Sequence, residues 1–184
     1  MKKRSFLILL LAALLLAAGC GSTEAEPDRS VAKQPLFGTF SAKTLDGDTV
    51  GEEIFSEHKL TMVNIWATFC SPCINEMPFL GEISREYGAS FQVVGVVLDA
   101  ADQNGNVLSD KKADAEKIVQ ATDADYVHLL PSPDLNRAYL SGVMSVPETV
   151  FLDENGCQVG PRYVGAKSKS EWKAIIDSLL EEAA

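Results

Sequence analysis

The sequence Trp66-Ala67-Thr68-Phe69-Cys70-Ser71-Pro72-Cys73 joins an apolar run at residues 60–66 to a segment of helical spacing at residues 72–87. The apolar run is short and is bounded by charged and turn residues, which predicts a buried strand. The next segment carries apolar residues at helical intervals until a glycine stops it, so Cys70 and Cys73 lie at a helix start. A Cys-x-x-Cys pair in this position brings two thiols within disulfide reach in one helical turn.

The two cysteines are predicted to be chemically unequal. Cys70 falls at the helix N-terminus, where unpaired backbone N–H groups and the helix dipole favour a thiolate. Cys73 is one turn further inside the helix, and we expect it to be more buried and less acidic. The sequence thus supplies an exposed attacking thiol and a sheltered resolving thiol for thiol–disulfide exchange.

A zinc site is the alternative interpretation of a Cys-x-x-Cys pair. Zinc takes four ligands, and the only two histidines, His58 and His128, show no paired spacing. We therefore favour redox chemistry and expect neither a metal nor a cofactor. His58 is expected at the surface and His128 half-buried. The polar segment 99–110 lacks the EF-hand spacing of a calcium loop, and we interpret it as a surface loop.

The rest of the chain alternates predicted strands and helices. An Asp46-Gly47 turn predicts a β-hairpin within residues 37–50. Beyond it, apolar patterning predicts strands at 91–98, 126–130, 148–152 and 157–164, and helices at 112–122, 134–140 and 168–180. This order predicts an α/β fold in which a mixed central sheet carries helices on both faces and the hairpin precedes the sheet.

Two separated landmarks resemble the thioredoxin superfamily, and specifically its TlpA/ResA-like extracytoplasmic thiol-disulfide oxidoreductases. The first is the segment 66–73, which Glu76-Met77-Pro78 continues in the pattern of that family. The second is Ser145-Val146-Pro147-Glu148-Thr149-Val150-Phe151-Leu152-Asp153, which is similar to the family's loop with a cis-proline that faces the dithiol. The resemblance covers residues 37–180 and implies a thioredoxin-like domain at residues 36–184.

The resemblance also implies roles for individual residues. Cys70 and Cys73 form the redox-active disulfide, and a cis Pro147 presents backbone groups to an extended substrate peptide. Plain thioredoxins place an acid on the strand two residues before the tryptophan, where this chain has Asn64, which cannot titrate. Glu76 is therefore interpreted as the proton acceptor near Cys73. The open alternatives are a solvated helical Glu76 and an ordinary trans Pro147.

Two aromatic residues near the motif and one further cysteine remain to be interpreted. Trp66 and Phe69 are expected to pack beside the dithiol and shield it, or else to belong to the plain core. Cys157 follows a predicted hairpin turn and has no assigned partner, so we interpret it as an incidental thiol.

The start of the chain indicates a targeting segment. A basic stretch at residues 2–4 precedes an uncharged run of thirteen residues, which is short of the ~20 residues of a spanning helix. Leu16-Ala17-Ala18-Gly19-Cys20 is similar to a bacterial lipoprotein signal, although an ordinary cleaved signal is the alternative. We expect residues 1–19 to be a lipoprotein signal peptide and residues 20–35 to be the lipidated Cys20 and a flexible tether. The domain would then be extracytoplasmic, anchored to the cell membrane through the lipid.

The charge balance limits the partners. Sixteen basic residues against 26 acidic ones give a net charge of −10, which is a poor match to nucleic acid and to anionic lipid surfaces.

The function that we expect is the reduction of protein disulfides by a monomeric, lipid-anchored oxidoreductase. The resemblance implies that a membrane electron donor of the CcdA/DsbD kind reduces the oxidised protein again.

Two other functions belong to similar folds. The peroxidatic cysteine of peroxiredoxin-type thiol peroxidases lies in a Thr-x-x-Cys pattern. In this chain Ala67 stands three residues before Cys70, and Thr68 is one position too close to it. A Sco-like copper-binding chaperone uses Cys-x-x-x-Cys and a distant histidine. The spacing in this chain is one residue short, and neither histidine follows the landmark at residues 145–153.

The lipoprotein hypothesis predicts the behaviour of a Cys20→Ala variant. Without the thiol that would carry the lipid, the protein should remain uncleaved or be released, and a fatty-acid probe should not label it. Cell fractionation and probe labelling beside the unaltered protein measure both effects. Unchanged membrane retention and unchanged labelling of the variant would rule the lipid anchor out.

Overall fold

The computed structural model describes residues 33–182. The described elements are β1 (Ala42–Lys43), β2 (Thr49–Val50), β3 (Leu60–Trp66), α1 (Ser71–Tyr87), β4 (Phe91–Val97), α2 (Ser109–Thr122), β5 (Val127–Leu129), α3 (Pro133–Ala138), β6 (Glu148–Asp153), β7 (Gln158–Val164) and α4 (Lys169–Glu182). The expected signal peptide, Cys20 and most of the expected tether lie outside these residues. Between residues 33 and 182, no helix is both long and apolar enough to cross a membrane.

The main sheet has five strands in the order β5-β4-β3-β6-β7. Strands β3, β4 and β5 run parallel, whereas β6 is antiparallel to β3 and β7 is antiparallel to β6. Strands β1 and β2 form a separate antiparallel hairpin. The mixed sheet and the N-terminal hairpin are thus confirmed. The segment expected as a loop at residues 99–110 is shorter, because Ala101 bridges to Val107 and α2 begins at Ser109.

Strand β3 lies at the centre of the sheet and is buried along its whole length. Alternate side chains point to opposite faces of a strand. Met62 and Trp66 join apolar clusters with α1, α2 and α4. Val63 and Ile65 point to the other face, where they pack with residues 37–55 and α3. Helices therefore cover both faces of the sheet, as the sequence predicts.

The two ends of the sheet carry different parts of the chain. Strand β3 ends at Trp66, directly before the segment with the two cysteines, and the antiparallel β6 pairs Glu148 with Ile65. The turn between β6 and β7 is therefore at the opposite end. There, Leu36 donates its backbone N–H to the carbonyl of Gly156 at 2.8 Å. The first described residues thus enter the domain at the end of the sheet opposite the cysteines.

Gly95 leaves the space in which His128 lies. The two residues are paired across β4 and β5. A Cβ atom at Gly95 would overlap Nδ1 of His128. The ring cannot easily yield, because Trp66 Nε1 donates to Nδ1 at 3.2 Å and Nε2 lies 3.0 Å from the carbonyl oxygen of Ala124. A side chain at position 95 would therefore break these hydrogen bonds or push the strands apart.

Gly95→Ala is accordingly expected to lower the free energy of unfolding by about 3 kcal/mol, the sum of overpacking and a lost buried hydrogen bond. Urea unfolding of the oxidised protein measures this change. Gly142→Ala is the control, since nothing lies within 4 Å of a Cβ atom at Gly142. It should alter stability by less than about 0.5 kcal/mol. Equal stability of the two variants would show that the packing against His128 has no energetic weight.

Candidate active site

Cys70 and Cys73 form a disulfide at the N-terminus of α1. Their Cα atoms are 5.3 Å apart. Cys70 is the N-cap residue, and its Sγ accepts a 3.2 Å hydrogen bond from the backbone N–H of Cys73. An N-cap side chain satisfies one of the N–H groups that a helix leaves unpaired in its first turn. The sulfur of Cys70 therefore occupies the place where the helix dipole stabilises negative charge.

The exposure of this segment corrects two expectations. Cys70 is only 6% exposed and Cys73 is fully buried, so the predicted order of burial holds, but Cys70, the expected attacking cysteine, offers little surface in the disulfide form. Phe69 is 73% exposed and does not shield the dithiol. The physical reason is the turn in which the Cys70 N–H donates to the carbonyl of Ala67 at 3.0 Å. Ala67 and Cys70 face inward from that turn, and Phe69 points to solvent.

Trp66 packs in the same apolar cluster as Cys70 and Cys73, and its indole is hydrogen-bonded to the buried ring of His128. His128 was expected to be half-buried, but it is only 4% exposed, because Gly95 opens a space for the ring. Burial lowers the pKa of His128 to about 4. The ring is therefore neutral near neutral pH, with Nδ1 accepting from Trp66 and Nε2 donating to Ala124. His58 is half-buried rather than at the open surface.

Glu76 is buried in α1, with three hydrogen-bond donors around its carboxyl group. Oε1 accepts from Asn64 Nδ2 at 3.1 Å, and Oε2 accepts from the backbone N–H of Lys167 at 3.1 Å and from Trp172 Nε1 at 3.2 Å. The exposed fraction of the residue is 1%, so the solvated alternative is wrong. Burial raises the pKa of Glu76, and the three donors and the charge of Lys167 oppose that rise.

The sequence did not reveal two of these donors. Trp172 lies within the last predicted helix, at residues 168–180, and Lys167 directly precedes that helix. The detectable signal was the indole itself, since a buried tryptophan N–H requires an acceptor. A backbone N–H such as that of Lys167 carries no sequence signal. Asn64 in β3 points to the side of the sheet that α1 covers, where it donates to Glu76, and it also donates to Thr149 Oγ1 at 3.1 Å.

The second landmark lies at the same end of the sheet. The peptide bond between Val146 and Pro147 is cis, as the resemblance implied, and Pro147 is buried. Val146 packs against the apolar cluster that contains Cys70 and Cys73. The structure thus brings the two cysteines, Glu76 and the loop of Pro147 together at one end of the sheet.

Comparisons with known proteins assign the chain. Residues 32–176 match the Redoxin family. The chain belongs to the Redoxin family. Within the relatives, thioredoxin-like protein YneN of Bacillus subtilis (strain 168) is 32% identical over 138 residues, which cover 75% of each chain. Thiol:disulfide interchange protein DsbE of Pseudomonas fluorescens biotype C is 29% identical over 181 residues, covering 96% of this chain and 93% of DsbE.

A solved structure gives the same result for the fold of this redoxin. The exposed lipoprotein thioredoxin Etrx1 of Streptococcus pneumoniae strain TIGR4 superposes with a TM-score of 0.59 at 27% identity, covering 78% of this chain and 99% of that one. The thioredoxin-like fold and the TlpA/ResA-like resemblance are confirmed. The redoxin is an enzyme, a thiol-disulfide oxidoreductase that carries a Cys70-x-x-Cys73 pair.

The remaining candidate ligands lie apart from the dithiol. Within residues 33–182, the structure holds no group of three or more His, Cys, Asp or Glu side chains arranged to bind a metal ion. Cys157 is a free, buried cysteine whose Sγ lies 3.1 Å from the carbonyl oxygen of Lys33, at the opposite end of the sheet. Burial and Asp153 raise the pKa of its thiol.

The raised pKa of Glu76 predicts a pH-dependent stability. The folded redoxin holds the Glu76 proton more tightly than the unfolded chain, so this carboxyl favours folding below its ordinary pKa and loses that effect as pH rises. Relative to Glu76→Gln, the oxidised wild type should therefore lose stability as pH rises from about 4 through the raised pKa. Urea unfolding at a series of pH values measures the difference.

Glu82→Gln provides the control for this measurement, because Glu82 lies on the same helix with a 52% exposed side chain paired with Lys169. Its unfolding free energy should follow the pH profile of the wild type. A wild-type advantage over Glu76→Gln that grows as pH rises would contradict a raised pKa at Glu76.

Proposed function

We propose that this redoxin is a lipid-anchored, extracytoplasmic oxidoreductase that reduces disulfides in other proteins. The observation that carries the proposal is the buried Glu76 carboxyl, one turn along α1 from Cys73. It sits in a shell of donors, and burial raises its pKa. A carboxyl group whose pKa lies above its ordinary value is a stronger base than an exposed carboxylate, which suits the transfer of a proton from a thiol.

The proposed reaction uses the two cysteines in turn. In the reduced protein, the Cys70 thiolate attacks one sulfur of the target disulfide, and the other target sulfur leaves and takes up a proton. Cys73 then transfers its proton to Glu76 and attacks Sγ of Cys70. The bond between Cys70 and Cys73 forms, the second target thiolate is released and protonated, and two electrons have passed from the dithiol to the target.

The charges around the dithiol support the reducing direction. A dithiol is a strong oxidant when its protein stabilises the thiolate, and oxidants of this fold do so with a histidine between the cysteines. This chain has Ser71-Pro72 there, and no Lys or Arg lies between Asn64 and Gly81. An ionised Glu76 disfavours a neighbouring thiolate. The reduced form therefore gains less stabilisation, and the disulfide is harder to reduce.

The loop of Pro147 is proposed as the docking site of the target chain. Backbone groups beside a cis-proline can pair with an extended peptide, and peptide pairing of this kind gives affinity without strict sequence requirements. The packing of Val146 against the cluster of Cys70 and Cys73 supports this role, because it holds the loop next to the sulfur that attacks.

The anchor and the electron supply complete the proposal. Lipidation of Cys20 would hold the domain at the membrane, and the comparison protein Etrx1 is itself described as an exposed lipoprotein. Residues from Lys33 onward join the domain opposite the dithiol, which would leave the active site accessible. Because each turnover oxidises Cys70 and Cys73, the protein needs a reductant, for which we propose a membrane donor of the CcdA/DsbD kind.

The division of labour between the cysteines is testable by trapping. Cys73→Ser should accumulate mixed disulfides through Cys70, because no second thiol remains to release the target. The matched variant Cys70→Ser should trap little, since Cys73 is fully buried. Acid-quenched extracts separated without reductant, followed by mass spectrometry of the linked cysteine, identify the adducts. Adducts found only on Cys73 would reverse the assignment, and their absence from both variants would remove the proposed reaction.

A further inference from the structure

A hydrogen-bonded cluster of Thr68, Asp99 and Lys111 lies beside the turn that leads into Cys70. The backbone N–H of Thr68 donates to Asp99 Oδ1 at 2.9 Å, and the Thr68 hydroxyl donates to Oδ2 at 2.6 Å. Lys111 Nζ lies 3.7 Å from the same Oδ2 and donates to Thr68 Oγ1 at 3.4 Å. One carboxylate thus receives both donors of a single residue and is paired with a cation.

Asp99 is partly buried, and backbone hydrogen bonds hold the residues on either side of it. Its side chain is 17% exposed, so its hydrogen bonds are partly shielded from water. The residues on either side are tied to the backbone of the sheet and of the following loop. Leu98 donates its N–H to the carbonyl of Trp66 at 2.8 Å, and Leu108 donates to the carbonyl of Ala100 at 2.9 Å. Asp99 lies two residues after β4, and its hydrogen bonds to Thr68 therefore join the end of that strand to the segment before Cys70.

The turn at residues 67–70 is restrained by the Cys70 N–H bond to the carbonyl of Ala67, by the burial of Ala67 and Cys70, and by the hydrogen bonds of Thr68 to Asp99. Phe69 points to solvent and contributes no core packing that could fix the turn. In the oxidised protein, the disulfide itself holds Cys70 against Cys73. Reduction removes that bond, whereas the two Thr68 hydrogen bonds to Asp99 do not depend on it and can hold the segment before Cys70 in the reduced protein as well.

We propose that Asp99 is a positioning residue that acts through Thr68 to hold Cys70 for its attack on the target disulfide. The proposal rests on the role of Cys70 given under the proposed function. Displacement at sulfur requires the attacking sulfur to approach along the axis of the bond that breaks, so small misplacement of the nucleophile is costly. Asp99 touches neither the sulfur nor the target, and its effect is carried by the Thr68 hydroxyl and N–H.

Two substitutions at Thr68 separate this role from a general need for packing. Thr68→Val keeps the size of the side chain and the backbone N–H but removes the hydroxyl. Thr68→Ser keeps the hydroxyl and removes a methyl group. Each reduced protein is mixed with excess 5,5′-dithiobis(2-nitrobenzoate) in a stopped-flow instrument over a range of pH, which separates the thiolate fraction from the rate constant of the thiolate itself.

The thiolate rate constant of Thr68→Val should fall about tenfold, as expected when a nucleophile loses its orientation, and Thr68→Ser should stay within about twofold of the wild type. Asp99→Ala should slow the reaction at least as much as Thr68→Val, because it removes the acceptors of both Thr68 donors. The double variant Thr68→Val/Asp99→Ala should be no slower than Asp99→Ala alone, because the hydroxyl that Thr68→Val removes acts through the Asp99 carboxylate.

Three results would overturn the positioning role: a wild-type rate in Thr68→Val, equal slowing in Thr68→Val and Thr68→Ser, or additive slowing in the double variant. The reactivity of Cys70→Ser in the same assay distinguishes a failure of the proposed function. If that variant reacts as fast as the wild type, Cys70 is not the attacking thiol, and both proposals fail together.

Discussion

The hydrogen bonds to the buried carboxyl group of Glu76 are the interactions on which the site depends. Its three donors come from β3, from the segment before α4 and from α4 itself, so one side chain on α1 joins the layers that surround the dithiol. A buried carboxylate is costly unless its oxygens are hydrogen-bonded, and an apolar replacement would take this acceptor from the buried Trp172 indole and from the Lys167 N–H, and would leave Asn64 Nδ2 with Thr149 alone. The same contacts that stabilise the packing of α1 and α4 therefore also place a carboxyl group, the proposed proton acceptor, one turn from Cys73.

The described cations near this end of the sheet are engaged elsewhere. Lys111 is paired with Asp99, and the Lys167 ammonium lies 5.6 Å from the ring centroids of Tyr163 and Trp172. His128, the histidine nearest the motif, has a pKa lowered to about 4 by burial and carries no charge at neutral pH. The electrostatic stabilisation of a Cys70 thiolate thus falls mainly to the N-terminus of α1. This arrangement supports the proposed reducing direction.

The sequence predicted those parts of the site that short segments determine. The strand, the turn and the helix around Cys70 and Cys73 follow from local patterning, and the places of Glu76 and Pro147 follow from a fixed spacing to other motif residues. The prediction that Phe69 packs inward was wrong, because the turn at residues 67–70, and not hydrophobicity, decides which of its side chains face inward. The burial of His128 was also underestimated, since the space for that ring depends on a glycine in the neighbouring strand.

Contacts between distant residues lay beyond sequence reasoning. Trp172 and Glu76 are 96 residues apart, and Thr68 and Asp99 are 31 residues apart. Their meeting depends on strand register and on the path of two connecting segments. No local pattern encodes either of these.

The redox potential of the Cys70–Cys73 couple tests the central claim most directly, because it measures the thiolate stabilisation on which the reducing direction depends. Equilibration of the purified domain with glutathione buffers of known ratio gives the value. The account predicts a potential nearer the −270 mV of thioredoxin than the roughly −120 mV of a strong oxidant. A potential above about −180 mV, the range of disulfide isomerases, would contradict it and indicate an oxidase or an isomerase.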